Sequence, residues 1–210
     1  MRVDDTAQVS GNRNSVRIQT QFSFTGGLVI MDSVHMPTGC GTWPAFWTDG
    51  ANWPVTGEID IVEGVNNYTN NQVTVHANTG CQLPTNNVTA LGISGSIVSG
   101  TNCAALQTNN EGCGVRASQT NSFGEPFNRN GGGVYASAFL QSPALHHVLG
   151  IANGYTSLRQ CFGTTRESLF GSSRGRTSRP TSPRRHPFLR VGVHPWHPSL
   201  QVAATHSSSS

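Results

Sequence analysis

Gly57-Glu58-Ile59-Asp60-Ile61-Val62-Glu63-Gly64 is the stretch on which the fold turns. Side chains alternate faces along a strand, so Glu58 and Asp60 share one face while Ile59 and Ile61 point into a core. Glu63 comes five residues after Glu58 and falls on the apolar face unless one extra residue interrupts the alternation. A bulge near Val62 restores parity and brings three carboxylates to one face. Glu58 and Glu63 are then four ladder steps apart, about 13 Å at ~3.3 Å per residue. Two side chains leaning together leave about 5 Å, the spacing of a retaining rather than an inverting glycosidase. Three acids so placed cannot all ionise freely, and one of them should keep its proton near neutrality, as a general acid must. A Ca²⁺ site or a solvated polar face would use the same residues, and spacing alone leaves both readings open.

Strand patterns continue on both sides. Val16, Ile18, Phe22 and Phe24 alternate with Arg17, Gln19, Gln21 and Ser23. Leu28-Val29-Ile30-Met31 is an apolar run, Val73 and Val75 alternate with Thr74 and His76, and Gly133-Val134-Tyr135-Ala136 is a weaker candidate. Gly39, Pro54, Asn66-Asn67, Asn70-Asn71 and Asn86-Asn87 mark turns between them. Short strands punctuated in this way predict an all-β fold, an antiparallel sandwich. A single weak helical pattern lies around residues 144–151.

Composition agrees. Charged residues are 11% of the 210, lysine is absent, and no apolar run approaches the ~18 residues needed to span a bilayer. A coiled coil or a transmembrane helix is excluded, and no membrane partner is expected. The net charge of +3 divides unevenly: residues 1–140 carry five Arg against nine acids, whereas residues 141–210 carry eight Arg against Glu167 alone. The second part is rich in Arg, Ser, Pro and His. It is expected to be a disordered basic tail beginning near residue 141, because it cannot bury enough apolar surface to offset chain entropy. No aromatic interleaving or folded RNA module accompanies the charges, so nucleic acid is not expected as a partner.

Cys40, Cys81, Cys103 and Cys113 fall in the first part and Cys161 in the second. With no zinc-like spacing, the four read as disulfides, Cys103 with Cys113 across a polar loop and Cys40 with Cys81. Asn67-Tyr68-Thr69 and Asn87-Val88-Thr89 are glycosylation sequons. Both features suit an extracellular protein, although Met1-Arg2-Val3-Asp4-Asp5 does not read as a signal peptide. Trp43, Trp47 and Trp53 lie within sixteen residues upstream of Glu58. Their faces could hold sugar C–H groups, or the rings could simply be core. His76 reads as a substrate hydrogen-bonding group or as a structural histidine. Trp196, in the tail, has no expected role.

Gly39–Gly64, reading GCGTWPAFWTDGANWPVTGEIDIVEG, resembles the catalytic region of glycoside hydrolase family 16, in particular the fungal laminarinase-like endo-β-1,3(4)-glucanases. The resemblance runs from about Met1 through Asn14–Ile18 to Gly131–Ala136. It implies a concanavalin A-like jelly roll with a glucan cleft on its concave sheet, working as a monomer on β-1,3(4)-glucan without cofactor or metal. It implies Glu58 as nucleophile, Asp60 as the acid assisting it and Glu63 as general acid/base, with Trp43, Trp47, Trp53 and His76 lining the cleft.

After Ala136 the sequence leaves the family pattern, and strands that the family has on either side are not recognised. The expectation is therefore a partial catalytic domain over 1–140 followed by a tail that is disordered or out of frame. Such a chain is not expected to be a self-sufficient domain. A glucan-binding protein without catalysis and an inactive fragment are the competing readings.

Overall fold

The computed structural model describes residues 4–24 and 27–139, together with four later strands as backbone. The strands are β1 (Val16–Gln19), β2 (Gly27–Ser33), β3 (Trp43–Asp49), β4 (Glu58–Glu63), β5 (Gln72–His76), β6 (Ser96–Ile97), β7 (Cys113–Arg116), β8 (Gly133–Phe139), β9 (His146–Gly150), β10 (Thr156–Arg159), β11 (Arg190–Val193) and β12 (Gln201–Thr205). Two short helices, α1 (Val88–Leu91) and α2 (Gly124–Arg129), lie between them. One sheet runs β1-β12-β3-β4-β5-β7-β6 and the other β10-β9-β8-β2-β11, and the ladders between these strands are antiparallel. This is the expected sandwich.

The apolar rows of the alternating strands close the space between the sheets. Val29 and Met31 of β2 and Tyr135 and Phe139 of β8 belong to the same buried cluster as Phe46 of β3, Ile61 of β4, Val73 of β5 and Val115 of β7. Phe123 and Phe127 seal one end, with Phe127 stacked on Tyr135 at 5.4 Å between ring centroids. Burying each such side chain contributes roughly 1.5–3 kcal/mol. Phe22 and Phe24 do not continue β1, which ends at Gln19; Phe24 instead packs edge-on against Phe139. The Trp/Pro run Trp43–Asp49 is itself a strand, a role its pattern did not announce, because it is buried on both sides in the middle of its sheet.

Two expectations meet a different outcome beyond residue 140. The weak helical pattern around 144–151 contains the strand β9, where backbone pairing with β8 and β10 overrides local periodicity. Four segments of the expected tail are strands, and β12 lies between β1 and β3, completing the face that carries the acids. The rest of 141–210, including Cys161 and Trp196, lies outside the described residues.

The cysteines divide. Cys103 and Cys113 form a disulfide as expected. Cys40 and Cys81 do not pair with each other: Cys40 is a free, exposed thiol, while Cys81 is bonded elsewhere. Strand direction explains the correction. The turn holding Cys40 is tied to Asn66, just past the C-terminal end of β4, by Gly39 N–H to Asn66 O (3.1 Å) and Gly41 N–H to Asn66 Oδ1 (2.8 Å). Cys81 follows the C-terminal end of β5, which is antiparallel to β4, and its carbonyl accepts from Cys103 N–H (3.0 Å). The two thiols thus sit at opposite ends of a ladder about 13 Å or more long, beyond the ~7 Å between Cα atoms that a disulfide can bridge. Asn67 and Asn87, the two sequon asparagines, are both exposed, and Asn87 caps α1 by accepting from Ala90 N–H (3.1 Å).

Candidate active site

The parity argument of β4 is answered by its neighbours. Glu58 pairs with His76 and Glu63 with Gln72, so six residues on β4 are matched by five on β5. On the other side Asp60 pairs with Trp47 and Val62 with Phe46, which leaves Ile61 as the inserted residue, fully buried. The bulge therefore lies next to Val62, and Glu58, Asp60 and Glu63 share one face. Pairing places Asp49, Trp47 and Ala45 of β3 beside them on one flank and His76, Thr74 and Gln72 of β5 on the other.

Asn71, read from the sequence only as a turn residue, holds the bulge. Its side-chain Nδ2 donates to Ile61 O (2.9 Å), and its Oδ1 accepts from Glu63 N–H (3.0 Å). The asparagine is 4% exposed.

The acids have different surroundings. Asp60 is enclosed, and burial first, then the charge of Glu63, hold its carboxyl well above the ordinary range, against a hydrogen bond with Glu58. Glu58 is pushed up to about 7, by burial and then by the charge of Asp60, with a smaller contribution from Asp49. The charge of His76 and a hydrogen bond from Trp53 oppose that rise. The retained proton expected among the three acids thus falls on the Asp60–Glu58 pair, whose carboxyls share a hydrogen bond. Glu63 accepts from the Trp43 indole N–H (2.9 Å) and, at 3.5 Å, from the Thr74 hydroxyl.

The tryptophans do more than offer ring faces. Trp53 Nε1–H donates to Glu58 Oε2, while the ring is 40% exposed. Its loop is closed by Thr56 N–H to Asn52 O (3.0 Å) and Gly57 N–H to Pro54 O (3.1 Å). Trp47 is only 9% exposed, and the Arg17 guanidinium lies 4.3 Å from its ring centroid. The open face expected at Trp47 is therefore covered. Its cover comes from β1, whose Arg17 also reaches Asp49 at 3.9 Å. His76 is 7% exposed and lies against Asp60. Of the four expected cleft residues, Trp53 is the one that offers a broad exposed ring. Farther along the face, Arg116 stacks on Tyr68 at 4.1 Å and donates to Gln72 Oε1 (2.7 Å). Among the described residues no group of three His, Cys, Asp or Glu is placed to hold a metal ion.

Known proteins resemble this chain in sequence and in fold. A family model described as the XgeA-like, catalytic GH16 domain matches residues 1–144. Among curated proteins, the chain is 47% identical over 144 residues to a probable glycosidase of Schizosaccharomyces pombe, covering 64% of this chain and 32% of that protein. It is 46% identical over 140 residues to a probable endo-1,3(4)-beta-glucanase of Aspergillus niger, covering 65% of this chain and 18% of that protein. The chain thus spans a third or less of the length of these relatives. Among solved structures, laminarinase 16A of Phanerochaete chrysosporium, seen with beta-glucans in donor and acceptor sites, superposes with a TM-score of 0.66 at 28% identity, over 98% of this chain and 67% of that one. An elongating family 16 beta-1,3-glucosyltransferase superposes with a TM-score of 0.62 at 27% identity, over 92% and 60%.

Proposed function

This chain belongs to glycoside hydrolase family 16, and from that premise we propose that it cleaves β-1,3(4)-glucans by a retaining double displacement. The observation that carries the reading is the bulged strand. It places Glu58 and Glu63 on one face, with Asp60 between them and a different hydrogen-bond donor on each glutamate.

In the first step Glu63 gives its proton to the glycosidic oxygen while a Glu58 oxygen attacks the anomeric carbon. The carbon–oxygen bond to the leaving sugar breaks, and the donor sugar becomes esterified to Glu58. In the second step Glu63, now a carboxylate, takes a proton from water, which attacks the same carbon and frees Glu58. Asp60 keeps its proton and donates to Glu58, stabilising the carboxylate before attack and after release. Trp53 presents its exposed face to a glucosyl ring. Residues 1–140 carry this chemistry, acting outside the cell as a monomer.

Laminarin hydrolysis tests the reading. The chain should release reducing sugar, and Glu58→Gln should abolish release while leaving glucan binding. NMR of the first product should show the anomeric configuration retained. Inversion would remove Glu58 from the nucleophile's role, and appearance of longer oligosaccharides would show a sugar rather than water as the acceptor.

A further inference from the structure

We propose that Asn71 is a positioning residue for the acid/base, its side-chain amide standing in for a peptide group that β5 lacks. The assignment rests on Glu63 acting as acid/base. A bulge leaves one strand with more backbone groups than its partner can pair. Here the surplus on the β5 side is the Ile61 carbonyl and the Glu63 amide, since β5 supplies five residues where β4 supplies six. Buried groups of this kind are costly to leave unpaired.

A carboxamide carries one carbonyl and an N–H, as a peptide does, and Asn71 spends them on those two groups, at 2.9 and 3.0 Å. Its own backbone is fixed from the far side. Asn71 N–H donates to Ser122 Oγ (2.9 Å), and Asn71 O accepts from Ala117 N–H (2.8 Å). Ser122 Oγ in turn donates to Gln119 O (2.7 Å), and Ser122 O accepts from the Tyr135 hydroxyl (2.5 Å). The side chain is therefore held from behind by the loop between β7 and α2 and, through Ser122, by β8, and it presents the Glu63 backbone at one height and angle.

Other residues fail at this place for stated reasons. Aspartate keeps the acceptor, loses the N–H and adds a charge beside Glu63. Alanine leaves both backbone groups unpaired. Glutamine has the right amide on a stem one carbon too long for the gap. What depends on Asn71 is the side of the strand from which Glu63 leaves, and so its reach to the leaving oxygen. Trp43 and Thr74 orient the carboxylate only after the backbone has been placed.

The test compares two substrates in the full chain: laminarin, whose poor leaving group needs a proton, and an aryl β-glucan oligosaccharide with an activated leaving group, which does not. Asn71→Asp and Asn71→Ala should lower kcat on laminarin by on the order of a hundredfold and on the aryl substrate by less than about tenfold, with KM nearly unchanged. The same imbalance should appear in Glu63→Ala. A residue that only supports the fold would lower both rates by one factor, and that result would overturn the proposal. So would failure of both Asn71 variants to melt cooperatively, because Asn71 would then serve the fold rather than Glu63. Hydrogen exchange separates this inference from the function itself. Even if the wild type cleaves neither substrate, slow exchange at the Glu63 amide that becomes fast in Asn71→Asp and Asn71→Ala supports the pairing. Unchanged exchange refutes it.

Discussion

His76 Nε2 lies 3.2 Å from Asp60 Oδ2, yet out of line for a hydrogen bond, and neither that oxygen nor His76 Nδ1 has another hydrogen-bond partner among the described residues. The contact is therefore one of charge and shape. It places a titratable ring behind the acid that hydrogen-bonds Glu58, with the His76 side chain 9% and the Asp60 side chain 3% exposed.

The ring is kept in place from behind by Gly112, whose φ of +60° and lack of a side chain let the loop close over it. A Cβ at this position would come within 2.9 Å of His76 Nδ1 and closer still to the Val75 carbonyl. Gly112→Ala should therefore cost about 1–3 kcal/mol of stability through strain and crowding. It should also shift the acid limb of kcat/KM, because the charge of His76 holds Glu58 down. His76→Ala should move that limb to higher pH without crowding the loop. A pH–rate profile of the two variants, read beside their melting curves, separates the effects; an unmoved limb in His76→Ala would detach His76 from the site.

Trp53 offers a cleaner substitution. Trp53→Phe keeps an aromatic face for the sugar and removes only the N–H that Glu58 accepts. Hydrogen bonds to a charged group are worth about 1.5–3 kcal/mol. The variant should bind laminari-oligosaccharides within a few fold of wild type, turn over on the order of tenfold more slowly, and show its acid limb about one unit higher. The groups facing Glu58 are Asp60 on its own strand, Asp49 on β3, His76 on β5 and Trp53 from the β3–β4 loop. Titration of Trp53→Phe in an Asp49→Asn background therefore checks that the shift belongs to the indole.

Stability should depend on pH in the sense opposite to a salt-bridged acid. Glu58 and Asp60 hold their protons more tightly folded than unfolded, since Glu58 rises from 4.5 to about 7 and Asp60 also rises. Their contribution is complete below the ordinary carboxylate range and is lost as pH climbs through 4.5 toward 7 and above. The melting temperature should fall across that interval. In Asp60→Asn, where one of the two protons no longer titrates, the fall should be shallower. A melting temperature that rises from pH 4.5 to 7, and does so equally in Asp60→Asn, would contradict the protonated pair.

The disulfide makes a separate contribution. Cys103 and Cys113 close a loop with a sequence separation of ten. Cross-linking a loop of that size stabilises by about 2–3 kcal/mol in the chain-entropy account. Because Cys113 pairs with Val75, next to His76, the bond fixes the strand beside the acids. Cys103→Ala/Cys113→Ala should unfold at correspondingly lower denaturant concentration, while the Trp53–Glu58 contact and the acid limb stay where they were. Parallel urea melts and pH profiles measure both.

Much of this was legible in the sequence wherever the information is local. The alternation Glu58, Asp60 against Ile59, Ile61 fixes the faces of β4, and the parity of Glu63 alone calls for a bulge. The partner of that bulge was not legible. Asn70-Asn71 reads as a turn, and nothing near it says that one carboxamide will enter the gap opposite Ile61. The indole donors escaped for a similar reason, since an aromatic run suggests ring faces while the N–H acts at a distance set by the loop. Cys40 and Cys81 were mispaired because sequence order hides which end of an antiparallel ladder a loop occupies. The strands β11 and β12 have weak patterns of their own and take their conformation from β2 and β3, beside which they lie.

Glu58 and Glu63 belong to one six-residue strand, and the residue that sets their relative height is inserted between them. Their separation is thus a property of a short cassette and owes nothing to the length of any connecting loop. Segments 50–57 and 98–112 can therefore vary around Trp53 and Gly112 without altering that separation. A lineage that carries this cassette can diversify in the glucans it accepts while its bond-breaking apparatus is inherited intact. Conversely, deletion of one residue between Asp60 and Glu63 would restore plain alternation, keeping the three acids on one face with no bulge and leaving Asn71 no gap to fill.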